Sequence, residues 1–261
     1  MSNAFETIRV DKDQRGVARL ILDRPEKHNA LNSMMIRELK QAAEQLGTDP
    51  SVRVVILSAA GKSFCAGGDL NWMKEQAAKN RVDRVDEAGH LAAMLQALDE
   101  IPKLMIAVVE GPAYGGGVGL LCVCDIVLAD ASCKFALTET RLGLIPATIA
   151  PFLIRRIGLT NARRFALNAA AFGADEAKSI ALVSEIHASD ELAAAGGRQA
   201  ALALACAPGA IADAKRLFGQ IAAGSITQAG TVEALADRWE SAEARAGVDA
   251  FFMRRRPLWA S

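Results

Sequence analysis

Two glycine-rich segments of the 261-residue chain have the composition of sites that bind a negatively charged oxygen. The first is SFCAGGDLNWM at 63–73, and the second is EGPAYGGGVGLLCVCD at 110–125. Each places its glycines after a predicted strand and before a predicted helix, where a ligand can approach the main chain closely. The first N–H groups of a helix lack a partner within it and lie at the positive end of its dipole. Together the segments predict backbone donors for an anion or a developing oxyanion.

These segments do not match the known glycine motifs that bind dinucleotides or phosphates or that carry a nucleophilic serine. A dinucleotide loop needs G-x-G-x-x-G, and its third glycine is missing whether the pattern starts at Gly115 or Gly117. The GKS triplet at 61–63 lacks the upstream glycine of a phosphate-binding loop, and no G-x-S-x-G elbow occurs. Cys65 has no neighbour in the sequence that would lower the pKa of its thiol, which favours a packing role. Either glycine turn alone would more often be a tight connection between elements, and it is the pair, each leading into a helix, that favours a site.

Strand-like and helix-like segments alternate through the first part of the chain, which is typical of an α/β fold. Strands are predicted at Thr7–Val10, Val17–Leu22, Val52–Leu57, Leu104–Val109, Asp125–Leu128 and Lys134–Leu137. Helices are predicted from Asn32 or Ser33 to Gly47, over Asn71–Lys79 and Val85–Leu98, and from about Gly116. The polar DKDQRG turn predicts that the first two strands form a hairpin.

The pattern becomes helical beyond about Ala188. Alanine-rich segments cover the tract ELAAAGGRQAALALACA and the regions around 210–221, 231–245 and 247–256. We therefore expect an α/β core over residues 1–188 and a helical region over residues 189–261. An apolar face on this helical region would either pack back on the core or join subunits, and the sequence leaves both open.

Composition disfavours several classes of partner. The chain has 30 Lys and Arg against 30 Asp and Glu, and only 5% aromatic residues, so no nucleic-acid partner is expected. Its five cysteines and three histidines lack the clustered spacing of a metal site. The apolar run Leu104–Ala129 is interrupted by Glu110, Gly111-Pro112 and Asp125, which argues against a membrane span. The first residues include no apolar stretch typical of a signal peptide, so we expect a cytoplasmic protein.

Four motifs, in this order and spacing, resemble the crotonase superfamily, which includes enoyl-CoA hydratases and isomerases. They are RPEKHNALN at 24–32, FCAGGDL at 64–70, GPAYGGGVGL at 111–120 and FALTETRLGLIP at 135–146. The resemblance implies a crotonase-like ββα superhelix with a helical C-terminal subdomain that assembles trimers or dimers of trimers. It also implies an acyl-CoA substrate, a role in degrading fatty or branched-chain acids, and no separate cofactor, because coenzyme A is part of the substrate.

The resemblance assigns roles to particular residues. The backbone N–H groups of Gly68 and Gly116 would polarise the thioester carbonyl, and Glu139 would act as the catalytic acid and base. The residues implied for substrate and coenzyme A binding are Lys27, Asn29, Ala30, Cys65, Ala66, Gly68, Asp69, Leu70, Gly116 and Arg141. Candidates for the phosphates of coenzyme A are Lys27, Lys62 and the run Arg254–Arg256, the last reaching over from a neighbouring subunit.

One departure from the family pattern leaves the reaction open. Two-glutamate hydratases of the family carry a second glutamate two residues after the GGG triplet, and this chain has Gly119 there. A hydratase would then use Glu139 with another polar group, for which Arg141, Tyr114, Thr138 and Glu110 are candidates. An isomerase needs only one base, and a weak or lost activity is a third reading.

Of these reactions, the motifs favour hydration. The combination of GGGVGL with ETRLGLIPATIAPF is similar to bacterial members that act on branched glutaconyl thioesters, such as 3-methylglutaconyl-CoA or isohexenylglutaconyl-CoA. Arg141 would hold the additional carboxylate of such a substrate, or would pair with Glu139 and lower its pKa. A non-enzymatic RNA-binding or scaffold relative is the alternative, supported only by the pairs at 155–156 and 163–164.

Overall fold

The computed structural model describes residues 5–260, so residues 1–4 and 261, at the outer ends of the two predicted regions, lie outside it. The strands are β1 Ile8–Lys12, β2 Val17–Leu22, β3 Val54–Ala59, β4 Leu104–Val109, β5 Ala113–Tyr114, β6 Ile126–Asp130, β7 Lys134–Ala136, β8 Phe172–Gly173 and β9 Glu185–His187. The helices are α1 Ser33–Thr48, α2 Leu70–Ala78, α3 Arg81–Asp99, α4 Gly116–Cys122, α5 Ala150–Asn168, α6 Ala174–Ser179, α7 Ser189–Leu204, α8 Pro208–Ala222, α9 Gln228–Glu240 and α10 Ala242–Phe252.

The main sheet has six strands in the order β1-β2-β3-β4-β6-β9. The hairpin of β1 and β2 is antiparallel as predicted, and each following neighbour pairs in parallel. Helices therefore connect successive strands, which is the alternation that predicted an α/β fold. Because β3 and β4 are parallel neighbours, the two glycine-rich segments that follow them leave the sheet at the same edge.

Alternate side chains of the parallel strands enter two apolar clusters on opposite faces of the sheet. On one face, residues of β2, β3 and β4 pack with α1, α3, α4 and α5. The apolar face predicted for the first helix is buried there, through Met35, Ile36, Leu39, Ala42, Ala43 and Leu46. On the other face, Val54, Ile56 and Ile106 pack against Leu192 and Ala195 of α7. Although α7 follows the predicted boundary at residue 188, it thus covers the main sheet.

The last three helices, α8 to α10, cover most of the segments that the sequence predicted to be helical. Within the region around 231–245 that was expected to be helical, the chain turns at Ser241 between α9 and α10. The Ser241 side chain accepts a hydrogen bond from the Ala244 amide and so caps the new helix. These helices leave large apolar side chains exposed, among them Phe218, Leu235, Trp239, Phe251 and Phe252.

Within residues 5–260, no helix combines the length and apolar character needed to cross a membrane. The same residues include no group of three or more His, Cys, Asp or Glu side chains arranged to hold a metal ion. Four of the five cysteine thiols are buried, and only Cys206 is exposed.

Candidate active site

A pocket of about 460 Å³ opens beside the two glycine turns. Its wall comes from both turns, from the helices α2 and α3, and from the segment between β7 and α5. The residues that line it are Leu31, Ile36, Ala66, Gly67, Gly68, Leu70, Trp72, Met73, Gln76, Arg84, Glu87, Ala88, Leu91, Gly115, Gly116, Thr138, Glu139, Leu142, Leu144, Ile145, Pro146, Ala147, Thr148 and Ile149. Most of these side chains are apolar, which is typical of a pocket for an organic ligand with few polar contacts.

The first glycine turn is held open around Gly68. The Leu31 amide donates to the Gly67 carbonyl at 2.7 Å, and the Asp69 amide donates to the Leu31 carbonyl at 2.9 Å. Gly67 itself has a φ of 91°, a left-handed conformation that favours glycine. Among residues 5–260, no hydrogen bond uses the amide of Gly68, which lies between these two anchors and lines the pocket. The turn therefore presents a free donor to a ligand.

Asp69 lies outside the pocket lining and holds the first glycine turn in place. Its carboxylate accepts from the amides of Asn71 and Trp72 at the start of α2, and from Nη2 of Arg24 at 2.9 Å. Burial would raise the pKa of Asp69, but the hydrogen bonds from Arg24 and the two amides outweigh burial and lower it. Arg24 also donates to the Ala30 carbonyl at 2.7 Å. The ionised carboxylate thus ties the 24–30 segment to the first turn.

The second glycine turn packs directly on the first. The Tyr114 amide donates to the Cys65 carbonyl at 2.9 Å, and the Gly115 amide donates to the Ala136 carbonyl at 2.9 Å. A Cβ atom at Gly117 would lie only 2.6 Å from the Cys65 carbonyl oxygen, so any larger residue would force the turns apart. Gly116 begins α4, and across the described residues its amide donates to no acceptor. The structure therefore brings the two predicted donors to one pocket.

Glu139 lies beside the second turn. It begins a 3₁₀ turn at Glu139–Leu142, which is anchored by a hydrogen bond from Oγ1 of Thr140 to the Ala166 carbonyl at 2.8 Å. The Glu139 Oε1 atom lies 3.0 Å from the position that a Cβ would take at Gly115. Oε2 is buried, and no hydrogen-bond partner for it exists within residues 5–260. Burial raises the pKa of Glu139, with only its own backbone amide acting in the opposite direction. Such a carboxylate is suited to exchanging a proton with a ligand.

The wall next to Gly119 is apolar. A Cβ at Gly119 would lie 2.5 Å from Cγ2 of Ile149 and 3.8 Å from Cδ2 of Leu95. The space that a second carboxylate would need is therefore filled by Ile149. Thr138 and Thr148 also belong to the pocket lining, and Thr148 directly precedes Ile149 in the sequence. Thr138 was one of the candidates predicted from the sequence. Thr148 was not, because nothing in the PATIAPF segment indicates that this threonine faces the pocket.

Two of the predicted binding residues serve the interior of the protein. The Asn29 side chain is fully buried, accepts from the Arg24 amide, and donates to the carbonyls of Ala60 and Ser63 at 2.8 Å each. The Cys65 side chain is also fully buried, and burial raises the pKa of its thiol to about 12. That shift leaves the thiol protonated at neutral pH, in agreement with the packing role that the sequence favoured.

Of the remaining predicted binding residues, Ala30 is buried and lies outside the pocket lining, and the others fall into two groups. Ala66 and Leu70 are exposed on the lining of the pocket. Lys27, Lys62 and Arg141 are exposed outside that lining, as is the run at 254–256, which follows α10 at the end of the chain. Lys27 lies with Ala30 in the segment that Arg24 and Asp69 tie to the first turn.

Two charged residues of α3 that no sequence motif marks belong to the pocket lining: Arg84, which is exposed, and Glu87, which is half-buried. Nε of Arg84 donates to the Gln76 carbonyl at 2.9 Å, and Nη2 donates to the Ala77 carbonyl at 2.9 Å. Glu87 accepts from Nζ of Lys79 at 2.9 Å. In the sequence they belong to a charged run, RVDRVDE, that is typical of a solvent-facing helix, so no local signal marks them as pocket residues.

A parallel-rich sheet with two glycine turns at one edge, and a half-buried carboxylate beside them, defines the crotonase class of α/β proteins. The chain belongs to the enoyl-CoA hydratase/isomerase family, whose model matches residues 12–261. The fold and family that the four motifs implied are thereby confirmed.

Known proteins similar to this chain agree with that membership. The chain is 33% identical over 257 residues to the 2,3-dehydroadipyl-CoA hydratase of Escherichia coli, covering 95% of this chain and 96% of that protein. It is 38% identical over 167 residues to the enoyl-CoA hydratase ACTT6 of Alternaria alternata, covering 64% of this chain but only 53% of that longer protein. The solved structure of AtuE from Pseudomonas aeruginosa matches with a TM-score of 0.94 at 37% identity, covering 98% of this chain and 100% of that chain.

Proposed function

We propose that this protein is an enoyl-CoA hydratase, which adds water across the 2,3 double bond of an enoyl-CoA thioester. The observation that carries the proposal is the Glu139 carboxylate, whose buried Oε2 lacks a hydrogen-bond partner within the described residues. Glu139 lies beside the second glycine turn, where the Gly116 amide donates no hydrogen bond within the described residues. The names of the relatives support the reaction class, since several are called enoyl-CoA hydratases.

The two amides stabilise the charge that develops on the thioester. In the proposed complex, the carbonyl oxygen of the substrate accepts hydrogen bonds from the Gly68 and Gly116 amides. Attack at C3 moves electrons to this oxygen and gives an enolate, whose charge the two fixed donors stabilise more than that of the neutral carbonyl. Removing one such donor in other enzymes costs about 3–4 kcal/mol of transition-state stabilisation.

Glu139 transfers the proton in both halves of the reaction. As an ionised base it takes a proton from water while the water oxygen bonds to C3 of the substrate. The resulting carboxylic acid gives that proton to C2 of the enolate, which restores the thioester carbonyl and the carboxylate. Water is thus added with no proton left over. A carboxyl group with a raised pKa suits this double role, because it gains and loses a proton more evenly near neutral pH.

The hydroxyls of Thr138 and Thr148 are the polar groups that we propose as partners for the attacking water. They line the pocket on the same segment that carries Glu139 and Ile149. Glu110 is exposed and, like Tyr114, does not belong to the lining. The two threonines therefore replace the missing second carboxylate better than the other candidates near the motif.

A second candidate reaction is isomerisation of a 3-enoyl-CoA to a 2-enoyl-CoA. It is favoured by the apolar contact of Ile149 with Gly119, which removes one holder of water from the pocket. In this reaction Glu139 takes a proton from C2 and returns it to C4, while the same two amides stabilise the dienolate. The double bond moves without addition of water.

The RNA-binding alternative has less support than either reaction. Arg155 pairs with Asp99, and Arg164 pairs with Glu176 at 2.6 Å. Arg156 donates to the carbonyls of Ala181 and Cys124. Most of the cations that suggested an RNA contact thus have partners in the protein. We further propose that the apolar side chains exposed on α8–α10 join subunits of a homo-oligomer.

Product analysis tests the proposed reaction. Purified protein would be incubated separately with crotonyl-CoA and with a 3-enoyl-CoA, and the absorbance of the conjugated thioester and the products would be followed. Hydration predicts loss of conjugation and a 3-hydroxyacyl-CoA from crotonyl-CoA. Gain of conjugation from the 3-enoyl substrate, with crotonyl-CoA left unchanged, would favour isomerisation instead. Absence of turnover of either thioester would contradict both.

A further inference from the structure

The wall of the pocket holds one cation without an acidic partner, the guanidinium of Arg84. Within residues 5–260, no carboxylate forms a salt bridge with it. Its two protein contacts are the carbonyls of Gln76 and Ala77, at the end of α2. A guanidinium has five N–H donors in a planar fork, so these two bonds hold it in place and leave three donors for a ligand.

Arg84 contacts the end of α2 that is remote from the first glycine turn. The carbonyls that hold it belong to residues six and seven positions along α2 from Leu70, which follows the first glycine turn. At 1.5 Å per residue, this places them about 9–10 Å along the helix from Leu70, which lies two residues beyond the Gly68 donor. An acyl chain whose carbonyl lies at Gly68 and Gly116 would extend along α2 toward Arg84.

The other charged residue at this end of the pocket, Glu87, is already paired with a cation of the protein. Glu87 lies one helical turn beyond Arg84 on α3 and accepts hydrogen bonds from Lys79, Ser33 and Trp72. Burial alone would raise the pKa of Glu87, but these hydrogen bonds, with Lys79 first, lower it and keep it ionised. Since the charge of Glu87 is balanced by Lys79, the uncompensated charge at this end of the pocket is positive.

We propose that Arg84 is a specificity-determining residue that selects enoyl-CoA substrates whose acyl chain ends in a carboxylate. The proposal rests on the proposed function and deepens it by naming the substrate class and the residue that recognises it. A carboxylate fits the fork of a guanidinium through two parallel, charge-assisted hydrogen bonds. Arg84 and Arg141, the residue that the motifs suggested for this role, are both exposed, but only Arg84 belongs to the pocket lining.

The experiment compares two thioesters that differ only at the far end of the chain, hex-2-enedioyl-CoA and hex-2-enoyl-CoA. Their kcat/KM values would be measured for the wild type and for the variants Arg84→Gln, Arg84→Lys, Arg141→Gln and Arg81→Gln. Arg81 is an exposed cation on the same helix that does not line the pocket, so its variant controls for general charge. We expect the wild type to prefer the diacid. Arg84→Gln should lower the ratio of the two kcat/KM values by about 10–100-fold. Arg84→Lys should lower it less, and Arg81→Gln should not change it.

Several results would overturn this role. An equal loss on both substrates in Arg84→Gln would indicate that Arg84 serves only to hold the end of α2 or to contact coenzyme A. A wild type without preference for the diacid would contradict the proposal directly. A selective loss in Arg141→Gln, rather than in Arg84→Gln, would place the carboxylate at Arg141.

A binding measurement separates this inference from the proposed reaction. If neither enoyl thioester is turned over, the reaction is wrong, but the affinities for the saturated adipyl-CoA and hexanoyl-CoA still test Arg84. Calorimetry should then show that Arg84→Gln lowers the affinity for adipyl-CoA by about 10–100-fold more than it lowers the affinity for hexanoyl-CoA. Equal affinities of the wild type for both saturated thioesters would overturn the inference independently of turnover.

Discussion

The Cγ2 atom of Ile149 lies 2.5 Å from the point that a Cβ atom would occupy at Gly119. The two residues are therefore complementary, and no side chain fits at position 119 while Ile149 keeps its place. Ile149 is buried, and it follows directly on Thr148 of the pocket wall. The absence of a second carboxylate in the pocket is thus built into the packing and does not depend on one residue alone.

This complementarity predicts coupling between the two positions. Gly119→Glu should destabilise the protein by about 1–3 kcal/mol through overpacking, and Ile149→Ala should do so by about 2–5 kcal/mol through a cavity. In the double variant the cavity receives the new side chain, so its loss of stability should fall short of the sum by about 0.5–3 kcal/mol. Urea unfolding of all four proteins measures this difference. Additive losses would mean that Ile149 does not limit the space at Gly119.

The raised pKa of Glu139 predicts a pH-dependent effect of Glu139→Gln on stability. Below the unfolded pKa of about 4.3 the carboxyl is protonated in both states, so the wild type and the variant should differ least there. As pH rises through the higher folded pKa, the folded wild type must ionise a buried carboxylate that is already ionised when unfolded. The wild type should then lose stability relative to the variant. Urea unfolding at pH 4 and pH 7.5 measures the change.

A matched control keeps this result specific. Glu233→Gln removes an exposed carboxylate on α9, and the stability difference that it causes should change much less between the two pH values. If the free energy of unfolding of Glu139→Gln instead falls relative to that of the wild type at the higher pH, the result would contradict a raised pKa for Glu139.

Much of the fold was predictable from short sequence patterns. The strands Val17–Leu22 and Leu104–Val109 lie where they were predicted, because short segments rich in β-branched and apolar residues and flanked by turn residues are typical of strands. The predicted helix Val85–Leu98 begins earlier in the structure, at Arg81, because Asn80 caps it before the apolar pattern starts. The break at Ser241 was not predicted, because the alanine-rich pattern indicates helical structure without fixing where one helix ends and the next begins.

The site was predictable only where its chemistry is local. The two glycine turns are visible because the glycines, the strand before them and the helix after them are contiguous in the sequence. Arg84, Thr148 and Ile149 were not selected, since their importance depends on which side of a helix or loop faces the pocket. That orientation is fixed by the packing of α3 and of the 138–149 segment, which no short motif records.

The ion pair of Arg24 and Asp69 should stabilise the protein strongly. Both side chains are largely buried, with exposed fractions of 14% and 9%, so Asp69→Ala leaves a buried cation without a partner. We expect a loss of about 3–5 kcal/mol at pH 7. Because the pKa of Asp69 is lowered, this stabilisation should be present above the unfolded pKa of about 3.9 and lost as pH falls through the folded value.

An exposed pair provides the comparison. Asp11→Ala breaks the salt bridge to Arg9, whose side chains are 56% and 53% exposed, and should cost at most about 1 kcal/mol. Urea unfolding of both variants at pH 7 measures the two losses. Similar losses would show that burial does not strengthen the Arg24–Asp69 pair.

The contact between the two turns predicts that Gly117 tolerates no larger residue. In Gly117→Ala the new methyl group would meet the Cys65 carbonyl oxygen at 2.6 Å, and backbone must move to accept it. We expect a loss of about 1–3 kcal/mol and a lower kcat. Gly197→Ala, in α7, has no atom within 4 Å of the new methyl group and should leave stability unchanged or raise it. Equal melting temperatures for the two variants would contradict the close contact.

The most direct test of the proposed mechanism is the hydration rate of Glu139→Gln. Initial rates with crotonyl-CoA, or with whichever enoyl-CoA the wild type hydrates best, would be followed by the loss of thioester conjugation at saturating substrate. The wild type and Glu233→Gln should have the same kcat, and Glu139→Gln should be slower by about 10²–10⁴-fold, because the amide cannot take the proton from water. A kcat for Glu139→Gln within twofold of the wild type would contradict the assignment of Glu139 as the acid and base.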